Sequence, residues 1–249
     1  MMGRVLLAVG SLTVLLAAFV KGSIGFGFPT LGTPLLSLVT DVQTAVVLLI
    51  VPNIAMDGLQ LARLGAPGAV ARRFATLLVT GAVGTLLGTR LLVGLSPRGA
   101  TLILGAVILL YVMASAAGVA PRVGPRWERA VSPLVGLVVG VIGGVTNVPG
   151  TPLVMYFNAL GLPKREFVAA VAFSFIVYKV VQLGAVVYFG LLSWELTAWS
   201  LALTLVGLGG FAVGLRVQDR LDPRAFNRVV LGFLAALGLW LAVRSVSAG

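Results

Sequence analysis

Apolar residues occupy the chain in ten runs, at about residues 5–24, 29–40, 43–62, 74–95, 99–118, 130–147, 150–160, 167–190, 195–217 and 226–246. Polar and charged residues gather in the short gaps between them. A helix needs ~20 residues to cross about 30 Å of hydrocarbon, so the pattern predicts membrane-spanning helices. The runs that begin at Pro29 and Gly150 are too short to span. Each follows a stretch that places glycines and prolines inside apolar sequence, KGSIGFGFPTLGTPLL from Lys21 to Leu36 and VGVIGGVTNVPGTPLV from Val139 to Val154. Glycine weakens a helix and proline removes a backbone donor, so a helix entering either stretch is expected to unwind and a second, short one to restart. Unwound backbone survives in a bilayer only where protein or a water-filled cavity satisfies it.

The two stretches are copies of one another. Gly22, Gly25, Gly32, Thr33, Pro34 and Leu35 match Gly140, Gly143, Gly150, Thr151, Pro152 and Leu153, all 118 residues apart. Further on, Gly84, Gly88, Arg90, Leu95, Pro97 and Arg98 match Gly210, Gly214, Arg216, Leu221, Pro223 and Arg224, now 126 apart. The chain therefore reads as one membrane domain, 1–249, made of repeat 1 (1–118), a basic and Pro-rich linker (119–129) and repeat 2 (130–249). Gly84 with Gly88, and Gly210 with Gly214, form small-xxx-small faces and are read as packing glycines. Gly25, Gly32, Gly143 and Gly150 are expected to permit unwound backbone or close approach at the breaks.

Composition agrees with the pattern. The 249 residues are 59% hydrophobic and 10% charged, with a mean hydropathy of +1.10. No soluble domain is left to carry an appended enzyme. Residues 5–20 resemble the apolar core of a signal peptide, but the repeat begins beside them, so they are read as part of the mature protein. The chain has no Cys and no His. That removes iron–sulfur clusters, the usual haem ligation, thiol chemistry, histidine-centred catalysis and the best zinc ligands. No cofactor, metal or catalytic residue is expected, and nothing points to nucleic acid.

The net charge of +11 has two readings, loop arginines whose distribution sets the topology and attraction of anions or anionic lipid, and the first accounts for most of those arginines. If each broken segment enters and returns on one side as a re-entrant hairpin, three spans remain per half. One face then holds Arg63, Arg72, Arg73, Arg122, Arg126, Arg129, Lys164, Arg165, Arg216, Arg220, Arg224 and Arg228, and the other only Arg4, Arg90, Arg98 and Arg244. Counting each broken segment as a plain crossing divides the same residues evenly. The asymmetric solution is the expected one, with the basic face in the cytoplasm. Three spans per half is an odd number, so the repeats are expected to be inverted.

Two cations remain at membrane depth, Lys21 at the first break and Lys179 in FSFIVYKVVQLG. Asp57 is the acid at that depth, in VPNIAMDGLQ, where Asn53, Asp57 and Gln60 share one helix face. Charge at mid-bilayer costs about 2.5–3.5 kcal/mol, so each such residue needs a partner, a wet cavity or a function. One reading is an Asp57–Lys179 ion pair. The other is an anion site in which Lys21 or Lys179 attracts the ligand and helix N-termini at the breaks donate N–H groups. On that reading the substrate-binding candidates are Lys21, Gly25, Gly27, Thr33, Asn53, Gly143, Asn147, Thr151, Ser174 and Lys179, with Asp57 a candidate for ion coupling. Ser174 is aligned with Asn53 once three extra residues near Gly161 are allowed for.

The paired segments GSIGFGFPTLGTPLL and GVIGGVTNVPGTPLV, together with LGLPKREFVAAVAFSF and with GTRLLVGLSPR and GLRVQDRLDPR, resemble the sulfite exporter TauE/SafE family of bacterial membrane permeases. The resemblance runs over essentially the whole chain. It implies a secondary transporter or exporter of small sulfur-containing anions such as sulfite or organosulfonates, multi-pass in the bacterial inner membrane, with the anion and the lipid bilayer as its partners. Thr146, Asn147, Val148 and Pro149 stand where the first break has Phe28, Pro29, Thr30 and Leu31, which implies an asymmetric site. An anion channel of the same fold and a lipid-binding scaffold are the competing functions. The particular anion and the oligomeric state are left open by the sequence.

Overall fold

The computed structural model describes residues 2–65, 67–117, 122–218 and 223–247, with 2–7, 67, 125, 151, 223–227 and 244–247 described in backbone only. Every regular element among them is a helix: α1 (Met2–Ile24), α2 (Phe28–Leu36), α3 (Val42–Leu64), α4 (Pro67–Arg73), α5 (Ala75–Gly94), α6 (Pro97–Ala116), α7 (Pro125–Thr146), α8 (Gly150–Ala159), α9 (Lys164–Tyr188), α10 (Trp194–Val217) and α11 (Pro223–Ser247). Six of them, α3, α5, α6, α7, α9 and α10, are long and apolar enough to cross a membrane. Leu86, Leu91, Leu205 and Val213 are among the large apolar side chains turned outward along these helices, as hydrocarbon requires. Exposed Trp127 stands at one end of the bundle and exposed Tyr188 and Trp194 at the other, the amphipathic girdles of a membrane protein.

Local chemistry starts the helices. Asp41, Ser96 and Ser193 accept hydrogen bonds from the backbone N–H of Thr44, Gly99 and Leu196, at 2.9, 3.1 and 3.2 Å, and so cap α3, α6 and α10. The expected breaks fall between α1 and α2 and between α7 and α8. Their two arms are unequal, as the lengths of the apolar runs suggest. The arm that enters is a full helix of 22 or 23 residues, about 33–35 Å long. The arm that returns has 9 or 10 residues, about 15 Å. The hairpins are therefore one long arm and one half-length arm, and α7 itself counts among the spanning helices. α7 begins at Pro125, within the expected linker 119–129. The short helix α4, whose basic end carries Arg72 and Arg73, had no apolar run to announce it.

Helix ends correspond at a step that differs from that of the sequence motif. The ends of α1 and α7 (24 and 146), the starts of α2 and α8 (28 and 150) and the starts of α3 and α9 (42 and 164) are each 122 residues apart. The Gly-Thr-Pro match at 118 is thus displaced by one helical turn. Gly32, Thr33 and Pro34 lie inside α2, whereas Gly150 opens α8. In register at 122, Asp57 corresponds to Lys179, Gln60 to Gln182 and Gly25 to Asn147, while Asn53 corresponds to Phe175 and not to Ser174.

Side-chain contacts fix which helix ends meet. Arg165 Nη2 donates to Leu64 O at 2.7 Å, and Arg73 pairs with Glu128 at 2.9 Å. The N–H of Val123 donates to Ala159 O at 2.9 Å. The C-terminal end of α3, the starts of α5, α7 and α9 and the end of α8 therefore share one end of the bundle. At the opposite end, Gln43 Nε2 donates to Leu92 O at 2.7 Å, joining the start of α3 to the end of α5. Single-Cys probes at Arg126 and Lys164 are accordingly expected to react from the same side of the membrane, and a probe at Trp194 from the other. Opposite-side labelling of Arg126 and Lys164 would contradict this arrangement.

Glycines bring helices from different halves together. An added Cβ on Gly140 of α7 would lie 2.1 Å from Gly81 O of α5, and one on Gly144 2.5 Å from Thr85 O. On α10, Gly210 and Gly214 stand against Leu15 O and Phe19 O of α1, at 2.5 and 2.3 Å from such a Cβ. Backbones this close exclude any side chain, so the expected packing faces are present and pair α5 with α7 and α1 with α10. Two apolar clusters result, one drawn mainly from α1, α2, α3, α6, α10 and α11 and the other from α5, α7, α8 and α9. The α3–α9 contact is the seam between them.

Candidate functional site

The seam collects the polar residues of the membrane interior. Lys21, on the last turn of α1, is fully buried, and its Nζ lies 2.5 Å from Asp57 Oδ1 on α3. The same ammonium stands 5.5 Å from the centroid of the Phe175 ring on α9, whose π face offers it a second, weaker attraction. The ion pair of Asp57 is thus with Lys21, and the expected Asp57–Lys179 pair does not form. Because α1 runs almost the full length of α3 before it unwinds, its final turn reaches the level of Asp57.

Lys179 is held by the second break. Its Nζ donates to Asn147 Oδ1 and, at 2.6 Å, to Gln182 Oε1. Asn147 ends α7 in the left-handed conformation, φ 63°, and its Nδ2 donates to Thr33 Oγ1 of α2 at 3.0 Å. A run of hydrogen bonds thereby crosses from α9 through the second break to the first short helix. Each break is also tied down by a glutamine at equivalent register. Gln60 Nε2 donates to Gly25 O at 2.9 Å, and Gln182 Nε2 donates to Gly144 O at 3.2 Å and Gly143 O at 3.3 Å. Buried carbonyls freed by an unwound turn need such donors. Gln60, which the sequence already placed on the Asp57 face, and Gln182, at helical spacing from Lys179, therefore position the breaks, a role that their spacing signalled although neither was among the site candidates.

Gly25 and Gly27 take φ of 91° and 97°, where a side chain would be strained, and Gly27 forms the N-cap of α2. Gly143 permits close approach, since a Cβ there would be 2.7 Å from the Pro149 ring. Gly150 meets only ordinary contacts, Thr30 Oγ1 at 3.5 Å and Phe175 at 3.6 Å from an added Cβ, which sets the start of α8 beside the start of α2. The Thr151 side chain lies outside the described residues.

Among the described residues, five buried side-chain atoms at this seam have no hydrogen-bond partner: Nδ2 and Oδ1 of Asn53, Oδ2 of Asp57, Oε1 of Gln60 and Oγ of Ser174. An unsatisfied buried polar group costs about 1–3 kcal/mol, and these five lie on two adjoining helices. Lys21 spends one N–H on Asp57, so its ammonium also has capacity to spare. Of the sequence candidates, Lys21, Asn53 and Ser174 hold unspent donors. Thr33, Asn147 and Lys179 form a bonded network beside them. Gly25, Gly27 and Gly143 shape the backbone.

Membrane-spanning helices around a buried polar seam, entered by two broken helices, define a polytopic membrane transport protein. The profile of the Sulfite exporter TauE/SafE family matches residues 11–241, and the chain belongs to that family. No curated protein and no solved structure matches it.

Proposed function

We propose that the protein is a permease for small sulfur oxyanions, sulfite or organosulfonates, which bind at the α3–α9 seam between the two breaks and cross by alternating exposure of that seam. The observation that carries this reading is the pair of unpaired donors at the seam, Asn53 Nδ2 and Ser174 Oγ, together with the N–H groups that the Lys21 ammonium does not spend on Asp57. Unspent donors next to a buried cation suit an oxyanion, and helix N-termini at Phe28 and Gly150 add favourable dipoles. Family membership supports the substrate class. The opposed directions of α3 and α9 support reading the halves as inverted repeats, which exchange outward and inward openings by symmetric motion. The membrane is the bacterial inner membrane, with the basic end in the cytoplasm. Asp57 is the group on which a coupled proton would ride.

The test is flux of labelled sulfite, thiosulfate and methanesulfonate in proteoliposomes, with counterflow in preloaded vesicles. A permease gives saturable flux and counterflow. Flux without counterflow indicates a channel. Absence of flux for all three anions from folded, reconstituted protein refutes the proposal and favours a scaffold.

A further inference from the structure

We propose that the seam is matched to a singly charged anion and that Asp57 sets the match; this rests on the reading of the seam as the anion site. Among the described residues, the charged side chains buried at membrane depth are Lys21, Asp57 and Lys179. The helices packed around them add none. α2 and α8 contain no charged residue, and Arg90 of α5 and Glu195 and Arg216 of α10 are exposed near helix ends. With both lysines protonated and Asp57 ionised, the three leave an excess of one positive charge.

That excess decides which ligand the site can take without an unbalanced charge. A monoanion brings the group to neutrality. A dianion of the same shape leaves one negative charge walled off from water, where an uncompensated charge is strongly disfavoured. Geometry acts in the same sense, since the unpaired Asp57 Oδ2 belongs to the same cluster as the unspent donors of Asn53 and Ser174 and repels any oxygen that carries a second charge. A sulfonate fits the description, with three acceptor oxygens sharing one charge, and sulfite fits it as the singly charged hydrogensulfite. The acid that first read as a partner for lysine is on this account a specificity determinant. It cancels one of two cations and thereby excludes the dianions that resemble the substrate.

Methanesulfonate and sulfate separate charge from shape, being tetrahedral at sulfur and differing by one charge at any neutral pH. Calorimetric binding to purified protein in nanodiscs, at fixed ionic strength, is expected to give methanesulfonate an affinity about tenfold or more above that of sulfate. In Asp57→Asn the excess becomes two positive charges, and the preference is expected to turn towards sulfate. Lys179→Gln removes the excess instead. It is expected to weaken methanesulfonate about tenfold without favouring sulfate, and it serves where Asp57→Asn does not fold. Equal affinities in the unaltered protein, or tighter binding of sulfate, overturn the charge match and leave anion transport standing. A protein that binds neither and transports neither overturns the reading of the seam and the match with it.

Discussion

Lys21→Met is expected to destabilise the protein by about 3–5 kcal/mol, the usual cost of leaving one member of a buried ion pair without its partner. Among the described residues the Asp57 carboxylate has no other cation within hydrogen-bonding distance, and its second oxygen is already unpaired. Asp57→Asn is expected to cost a comparable amount, because it strands the Lys21 ammonium over the Phe175 ring. The double variant Lys21→Met, Asp57→Asn should recover most of that stability, since neither charge remains to be buried alone. Flux should not recover with it, because the Lys21 ammonium proposed to attract the anion is gone. Thermal unfolding in detergent and anion flux per folded molecule, measured on the four proteins, separate the two effects. Pairing Asp57→Asn with Lys179→Met instead should give no comparable rescue. Full recovery of flux in the Lys21, Asp57 double variant would reduce the pair to a structural tie.

The second large effect concerns packing. Gly140→Ala places a methyl 2.1 Å from Gly81 O, and Gly210→Ala places one 2.5 Å from Leu15 O. Both obstacles are backbone, so no rotamer change relieves them and two helices must separate along their length. Ala improves helix propensity by about 1 kcal/mol over Gly. Overpacking in a tight core costs about 1–3 kcal/mol and more where backbone must move, so the steric cost wins. Neither variant is expected to yield folded protein. Gly209→Ala, one residue from Gly210 on the same helix, meets nothing within 4 Å and should be neutral or slightly stabilising. Similar yields and melting temperatures for Gly209→Ala and Gly210→Ala would show that the helices do not approach as closely as described.

Much of this was visible in the residues. Glycine and proline inside apolar sequence announced both breaks, because no uninterrupted helix accommodates them cheaply. The basic loops foretold which helix ends gather together, as Arg73, Arg165 and the segments around them do. What the residues did not disclose depends on depth and rotation. Lys21 and Lys179 are equally cationic in sequence, and only the length of α1 brings Lys21 to Asp57. The Gly-Thr-Pro tripeptide is a strong match between the halves, yet it occupies different turns of α2 and α8, so aligning on it shifted the register by one turn and hid the equivalence of Asp57 with Lys179. Unpaired atoms such as those of Asn53 are a property of their neighbours, which a linear sequence does not supply.

The union of α1 with α10 also bears on how the protein is made. A ribosome adding about 5–20 residues per second needs on the order of 10–40 s to go from the end of α1 to the end of α10. Through that interval Gly22 and its neighbours wait in the membrane without the glycine face that will cover them, and Lys21 waits for Asp57 for only the few seconds needed to make α3. The ion pair can therefore be in place long before the packing that encloses it. Translation, by this order, delivers the charged partner first and the close-packed one last, and a chain interrupted before residue 194 would leave α1 exposed to quality control.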